Sequence, residues 1–429
     1  MSDNQASESA ARRVSGPFAA LHYRDFRLFW IGLFISNVGT WMQMTAISWL
    51  LYDLTNSPLQ LGVNGVFRAI PAIGLGLFGG TMADRYDRKR LMLITQITSM
   101  LLAFTLGILA QTELIQVWHI YALTVVGAVV GTLDGPARQA IYPSLVPRQV
   151  LPNAIALNSL LWKGTALLGP SLAGIAISAI GTDGAFYANA LSFLAVVFAL
   201  ALMRIPATRG GAPGDFMHEL KEGVVYVKTR KIILGLMVME AVSSVFGLDQ
   251  AILTIFARDV LQVGASGLGF LQSARGLGAV IGSAVMISLD RRRPHGKILL
   301  VSAALFSASF VLFGLSHSFV ISLTLLLLMG AADTIWAAAR NIILQLHTPE
   351  SMRGRVMGVF HLSNRGLHPL GQAETGLVVP LIGARGTTVL GGLVVAAVTL
   401  LITWKVPSLA RFRWAEQSGA ASLDASGRD

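Results

Sequence analysis

Long apolar stretches separated by short polar segments dominate this chain. An α-helix rises 1.5 Å per residue, so about 20 apolar residues cross a bilayer core about 30 Å thick. Stretches of this length predict twelve transmembrane helices, six in each half of the chain. In the first half they cover 29–52, 60–82, 91–110, 117–135, 153–180 and 185–203, and in the second half 232–257, 266–289, 298–316, 319–339, 356–382 and 387–404.

The fold class follows from the number of these stretches. The mean hydropathy of +0.64 over 429 residues is typical of a polytopic membrane protein rather than of a soluble one. We predict an all-α membrane protein with two pseudo-symmetric six-helix bundles. The predicted parts are a cytoplasmic N-terminal segment, a first bundle, a cytoplasmic central loop, a second bundle and a cytoplasmic tail, at 1–28, 29–203, 204–231, 232–404 and 405–429.

Lys and Arg residues lie in alternate connections. The segments on one side hold 27 of the 33 Lys and Arg, whereas the loops on the other side hold only Arg258 and Arg385. The positive-inside rule therefore places both termini in the cytoplasm of a bacterial inner membrane protein. A pI near 10.3 does not indicate nucleic acid as a partner, because the positive charge is spread over all the inner segments.

Several kinds of chemistry are excluded by missing residues or motifs. The polar start of the chain predicts no cleaved signal peptide, and the lack of cysteine excludes disulfides and thiolate metal sites. No ATP-binding loop, zinc-protease helix or nucleophile elbow is present, so we expect no catalytic residues and no cofactor. A monomer in membrane lipid suffices for this architecture.

The two halves share weak internal similarity. Leu61-Gly62 precedes Arg68 by the same distance as Leu268-Gly269 precedes Arg275, and Ala137-Arg138 and Ala339-Arg340 each precede a proline by the same distance. These pairs occupy equivalent positions in the two halves. They indicate a duplicated six-helix unit.

One loop carries an ordered charge motif, Gly80-Thr-Met-Ala-Asp84-Arg85-Tyr-Asp-Arg88-Lys89. It resembles the signature of the major facilitator superfamily, in the loop where that family places it, with Asp87 where the broad pattern has glycine. The resemblance implies a transporter that works by alternating access. It also implies gating roles for Gly80, Asp84, Arg85 and Arg88, whose charge pairs close the cytoplasmic side in one state.

Four further segments sharpen the resemblance. They begin at Phe26, Ala83, Pro136 and Asn153 and look like the bacterial branch that contains enterobactin-type siderophore exporters and some drug efflux proteins. Gly169-Pro170-Ser-Leu-Ala-Gly174 is similar to an element of the antiporter branches, which implies gating by Gly169, Pro170 and Gly174. Packing and kinking are the alternative roles of these residues. The resemblance implies protons as the driving ion.

Ionisable residues inside membrane spans are costly and often mark a pathway. Counting from the helix ends places four cations near the midplane, and we predict that they bind an anionic or polyhydroxylated solute: Arg68, Lys163, Arg275 and Arg365. The alternative is that some of them form structural bridges with Glu240, Asp249 or Asp333.

Glu240 is the first candidate for proton coupling and Asp333 the second, because a buried carboxylate beside an arginine can respond to both proton and solute. A fixed salt bridge is the alternative for Glu240. The sequence as a whole predicts a proton-coupled exporter of a small organic molecule, either siderophore-like, amphiphilic or anionic, or a drug. An importer or a lipid flippase on the same fold is the alternative.

Overall fold

The structure is a computed structural model that describes residues 16–75, 87–203, 216–289, 294–410 and 412, without the side chains of 216–220, 361 and 365. These residues are almost entirely helical and contain no strand. The all-α class predicted from the sequence is confirmed.

The helices follow the apolar stretches but extend beyond most of them. The first half of the chain has a short 3₁₀ turn at Ala19–His22 and then the helices α1 to α5: Arg24–Thr55, Pro58–Gly74, Arg88–Gln111, Val117–Leu145 and Leu151–Leu202. Helix α6, Phe216–Thr229, covers the amphipathic part of the central loop. The remaining helices, α7 to α13, are Lys231–Phe246, Gln250–Ile255, Gly264–Ser288, His295–Leu315, Phe319–Leu346, Glu350–Lys405 and Pro407–Ala410, with a π-helical turn at Phe256–Val260 after α8.

The two longest helices are each broken by a glycine. Gly181 in α5 has φ 79° and Gly383 in α12 has φ 74°, a backbone conformation that favours glycine. The breaks fall between the predicted apolar stretches on either side of each. Gly181 and Gly383 lie 202 residues apart, the same separation as Arg138 and Arg340, which adds a third matched pair to the internal similarity.

The helices have the surface of a membrane protein. Eight of the described helical segments are long and apolar enough to cross a bilayer, including the two broken ones. Large apolar side chains lie exposed on them, such as Ile287 at 86%, Leu381 at 80% and Trp404 at 77%. Apolar surface on this scale requires a lipid environment, and the chain is a multi-pass membrane protein.

The chain divides into two compact units, and the division does not follow the halves of the sequence. One unit comprises Met1–Leu50 and Ile70–Pro213, and the other comprises Leu51–Ala69 and Gly214–Asp429. The end of α1 and most of α2 therefore pack with the second unit.

In the first unit, the segments that carry the family resemblance pack together. Phe26 and Phe29 contact the Tyr142 ring, and the Tyr142 hydroxyl donates to Asn158 at 2.6 Å. The Trp30 indole donates to the Leu157 carbonyl at 3.0 Å. These aromatic residues lie in or against the main apolar core of the unit, so these motif residues have a packing role.

In the second unit, glycines let helices approach closely. A Cβ at Gly278 of α9 would lie 2.9 Å from the Ala331 nitrogen of α11, and one at Gly330 would lie 2.9 Å from the Arg275 carbonyl carbon. The backbones of α9 and α11 are therefore in contact, as small residues allow in membrane helices. This contact fixes Arg275 and the α11 residues near it in one arrangement.

Candidate functional site

A buried carboxylate and arginine form the polar centre of the first unit. Asp134 and Arg138, one turn apart on α4, pair at 2.6 Å. The other carboxylate oxygen accepts from the Thr95 hydroxyl at 2.9 Å and from the Gln96 amide at 2.8 Å, and Arg138 donates to the Asn37 oxygen at 3.3 Å. The carboxylate and the guanidinium each have an oppositely charged neighbour and a further hydrogen-bonding neighbour, which is the arrangement that makes a buried charge tolerable.

A comparable cluster lies in the second unit. The Arg340 guanidinium of α11 pairs with the Glu240 carboxylate of α7, which also accepts from the Asn364 amide of α12. The Arg340 guanidinium lies 4.9 Å from the centre of the Phe360 ring. Glu240 is 7% exposed and Arg340 5% exposed, so this pair is enclosed by protein.

A second ion pair in the same unit is much more open. Arg275 of α9 pairs with Asp333 of α11 at 3.3 Å, and the two side chains are 31% and 42% exposed. Arg275 also donates to the Leu248 carbonyl at 3.0 Å. That carbonyl lies at the break between α7 and α8, so the Arg275 side chain is held by the backbone as well as by Asp333.

The predicted solute-binding cations are distributed between the units. Arg68 and Arg275 both act electrostatically on His368 of α12, as does Asp333, so the second unit brings these four groups near one another. Lys163 is a partly buried residue of α5 in the first unit. The side chain of Arg365 is not among those described. The role of these cations in binding stays a prediction.

Asp249 has a structural position at the start of α8. One carboxylate oxygen accepts from the Ile252 amide at 2.8 Å and the other from the Thr375 hydroxyl at 2.8 Å. An aspartate that accepts from the backbone of the first turn caps the helix and satisfies an otherwise unpaired donor. Asp249 therefore ties α8 to α12.

The segment 51–69 packs closely on other parts of the second unit. Asp53 pairs with Arg258 at 2.9 Å, and the Tyr52 hydroxyl donates to Asp259. A Cβ at Gly62 would lie 2.8 Å from the Gly376 Cα, so α2 and α12 are in backbone contact there. Arg258, one of the two cations in the predicted outer loops, thus has a carboxylate partner inside this unit.

Most of the loop that carries the signature motif lies outside the described residues. Gly80, Asp84 and Arg85 lie outside the described residues. Arg88 begins α3 and donates to the Ala140 carbonyl at 3.0 Å, and Lys89 donates to the Met203 carbonyl at the end of α5 at 2.7 Å. The Lys89 side chain therefore binds the C-terminal end of α5, where cations are favoured, and Arg88 binds a carbonyl inside α4. Their gating role stays a prediction.

The second gating element lies where α5 meets α1. A Cβ at Gly169 would overlap Trp41 and would lie 3.1 Å from the Val38 carbonyl. Gly169, Pro170 and Gly174 are buried. The observed contacts give Gly169 a packing role, which was the alternative considered for this element, and gating remains a prediction.

Replacing Gly169 with alanine should destabilise the protein by about 1–3 kcal/mol, because the new methyl group overlaps Trp41. Gly131 of α4 is a matched control, since a Cβ there meets nothing within 4 Å. Gly131→Ala should be neutral or slightly stabilising, as alanine favours a helix. Thermal unfolding of the detergent-solubilised variants measures the difference. Equal midpoints for both variants would show that α1 and α5 are not tightly packed at Gly169.

Arg340 and Arg138 come shortly after the ends of two of the predicted apolar stretches. They lie inside α11 and α4, beyond the ends of the predicted spans, and each is paired with a carboxylate. The sequence does indicate that the helix continues to Arg340, because Asp333, Trp336 and Arg340 share one face at helical spacing. Nothing in the sequence pointed to Asn364 as a partner of Glu240.

Comparison with known proteins identifies relatives along nearly the whole chain. The family described as transmembrane secretion effectors matches residues 15–426. The chain is 26% identical over 365 residues to YfiS of Bacillus subtilis (strain 168), an uncharacterised transporter of the major facilitator type, covering 81% of this chain and 85% of that protein. It is 27% identical over 399 residues to the enterobactin exporter EntS of Shigella flexneri, covering 90% and 93%.

Solved structures show the same fold at low sequence identity. A POT family transporter in complex with a thioalcohol-conjugated peptide has a TM-score of 0.74 at 13% identity, covering 90% of this chain and 96% of that one. An inward-facing bacterial homologue of the iron transporter ferroportin has a TM-score of 0.67 at 16% identity, covering 89% and 98%. At these identities the likeness establishes the fold and not the solute.

Proposed function

Because the chain belongs to the transmembrane secretion effector family, whose relatives are transporters of the major facilitator superfamily rather than enzymes, we propose that it exports a small organic molecule across the bacterial inner membrane. Export is driven by proton entry and proceeds by alternating access. The working unit is a monomer with twelve spans in two six-helix bundles and with both termini in the cytoplasm, an orientation supported by the charge bias of the loops.

The observation that carries this proposal is the half-exposed Arg275–Asp333 pair within the membrane helices. The Glu240–Arg340 pair, by contrast, is enclosed by protein. Ionisable groups at membrane depth that remain accessible are typical of solute and ion pathways. The pair therefore supports transport of a polar or charged molecule.

The solute-binding set contains the four predicted cations, Arg68, Lys163, Arg275 and Arg365. A guanidinium can donate two parallel hydrogen bonds to carboxylate or catecholate oxygens. Siderophore-like, amphiphilic and anionic compounds fit this chemistry, and drugs fit it where they carry such groups. The enterobactin exporters among the relatives support siderophore-like solutes and the outward direction.

The two predicted coupling groups, Glu240 and Asp333, are each paired with an arginine. An anionic solute that binds Arg275 competes with the Asp333 carboxylate for that guanidinium. Glu240 couples transport only if its contacts with Arg340 and Asn364 open.

Inverted membrane vesicles test direction and driving force together. In vesicles that contain the chain, an imposed gradient with an acidic interior should drive uptake of the exported compound, and a protonophore should abolish that uptake. Enterobactin and a panel of cationic and anionic drugs are the first probes. Vesicles without the chain give the background. Uptake only into right-side-out vesicles would instead support the importer, and movement of labelled lipid alone would support the flippase.

A further inference from the structure

Five carboxylates lie in the apolar stretches of the sequence, and four of them have strong donors. Asp134, Glu240 and Asp333 each pair with an arginine, and Asp249 accepts from a helix N-terminus and a threonine. The fifth, Glu374 of α12, forms no hydrogen bond or ion pair with any residue that the structure describes. Its Oε1 atom is fully buried without a donor.

The charged neighbour of Glu374 is another acid. Asp249 acts on it electrostatically, and the adjacent residue Thr375 donates to Asp249. The Asp249 carboxylate is fixed by the α8 amide and by this hydroxyl, whereas Glu374 has no donor among the described residues. If both carboxylates were ionised, two negative charges would lie together, and like charges within a low-dielectric region strongly disfavour double ionisation.

Among the described residues, no ion pair or hydrogen bond reaches Glu374 from the elements packed on α12. Across from it on α2, Gly62 faces Gly376 and Gly65 faces Gln372, so Arg68 lies further along and acts on His368 instead. On α7, Glu240 is paired with Arg340. Helix α6, with Lys221 and Lys228, packs near Arg355 and Val359, several turns before Glu374. On α10, the only charged or titratable side chains, those of His295 and Lys297, lie in its first turn, where Gly296 packs against Leu409 beyond the C-terminal end of α12.

We propose that Glu374 carries the proton that this transporter exchanges for its solute, which rests on the proposed function of proton-driven export. A buried carboxyl oxygen without a donor, beside a second carboxyl group, is satisfied by a proton. A hydroxyl or ammonium group of the solute can take the place of that proton as donor. Proton and solute then compete for one carboxylate, which gives exchange in opposite directions.

Infrared difference spectroscopy of the purified protein in lipid tests the protonation without any solute. At neutral pH the wild-type protein should show the carbonyl band of a protonated carboxylic acid, and Glu374→Gln should lose it. Glu350→Gln is the matched control, because Glu350 is an exposed residue at the start of the same helix. This variant should keep the band. A band that persists in Glu374→Gln overturns the proposal.

Transport of enterobactin in proteoliposomes tests the coupling. Glu374→Gln should lose the stimulation of enterobactin transport by a pH gradient, whereas Glu350→Gln should keep it. Stimulation equal to that of the wild type in Glu374→Gln overturns the assignment. If the wild type moves neither enterobactin nor any drug of the panel, proton-driven export itself fails, and the infrared band still decides whether Glu374 holds a proton.

Discussion

Replacing Arg340 with methionine should lower the free energy of unfolding by about 3–5 kcal/mol, because Glu240 would remain as a buried charge without its partner. Methionine keeps most of the volume, so the loss reports the missing charge rather than a cavity. The midpoint of thermal unfolding in detergent and the yield of monodisperse protein measure this effect. Replacing Glu240 with leucine in the same chain should recover most of the loss, since both charges are then removed.

The Arg355–Glu222 pair provides the control for this experiment. It joins α12 to the central-loop helix α6 at 2.5 Å, but its side chains are 36% and 38% exposed. An exposed pair contributes about 0–1 kcal/mol, so Arg355→Met should have a small effect. If Arg340→Met were as mild as Arg355→Met, the enclosed cluster would not be a main source of stability in this unit.

The double variant Arg68→Gln and Arg275→Gln should transport at background level while it remains folded and membrane-inserted. Each charged hydrogen bond to a solute is worth about 1.5–3 kcal/mol, so the loss of one weakens binding by about tenfold to a hundredfold. The Arg275–Asp333 pair is half exposed, and its loss should affect stability far less than that of Arg340. Uptake into inverted vesicles against substrate concentration measures the change.

Two further variants serve as controls for the double variant. Arg353→Gln removes an exposed cation in the first turn of α12 and should leave transport unchanged. Arg275→Lys keeps the charge but loses the planar pair of donors, so it should restore the transport of a bidentate anion only in part. Full transport by the double glutamine variant would remove Arg68 and Arg275 from the solute site.

The matched positions in the two halves were partly visible before the structure. The spacing of residues in the sequence already shows that Arg138 and Arg340 occupy equivalent positions in the two halves. The structure adds the glycine breaks at Gly181 and Gly383, which have the same separation. The sequence did not show which carboxylate pairs with each of these arginines. Asp134 lies one turn from Arg138 on the same helix, whereas the partner of Arg340 is 100 residues away.

The predicted gating segment at Gly169-Pro170 also combines a local signal with a tertiary one. Its sequence motif is visible in the chain, but its contact with Trp41 depends on which helix packs against α5. The grouping of 51–69 with the second unit could not be derived from the sequence, because the segment lies within the first half of the chain. It follows from glycine contacts such as that of Gly62 with Gly376, whose partners are distant in the chain.

The sequence by itself determined that this protein is helical, multi-pass and a transporter of a recognisable family, because hydropathy and short motifs are local properties of the chain. Only the tertiary structure decided which membrane charges are neutralised. Glu240 is enclosed with Arg340, Arg275 remains half open with Asp333, and Glu374 has no donor among the described residues. The free energy of a buried charge depends on the neighbours that helix packing brings to it, and that packing joins residues far apart in sequence.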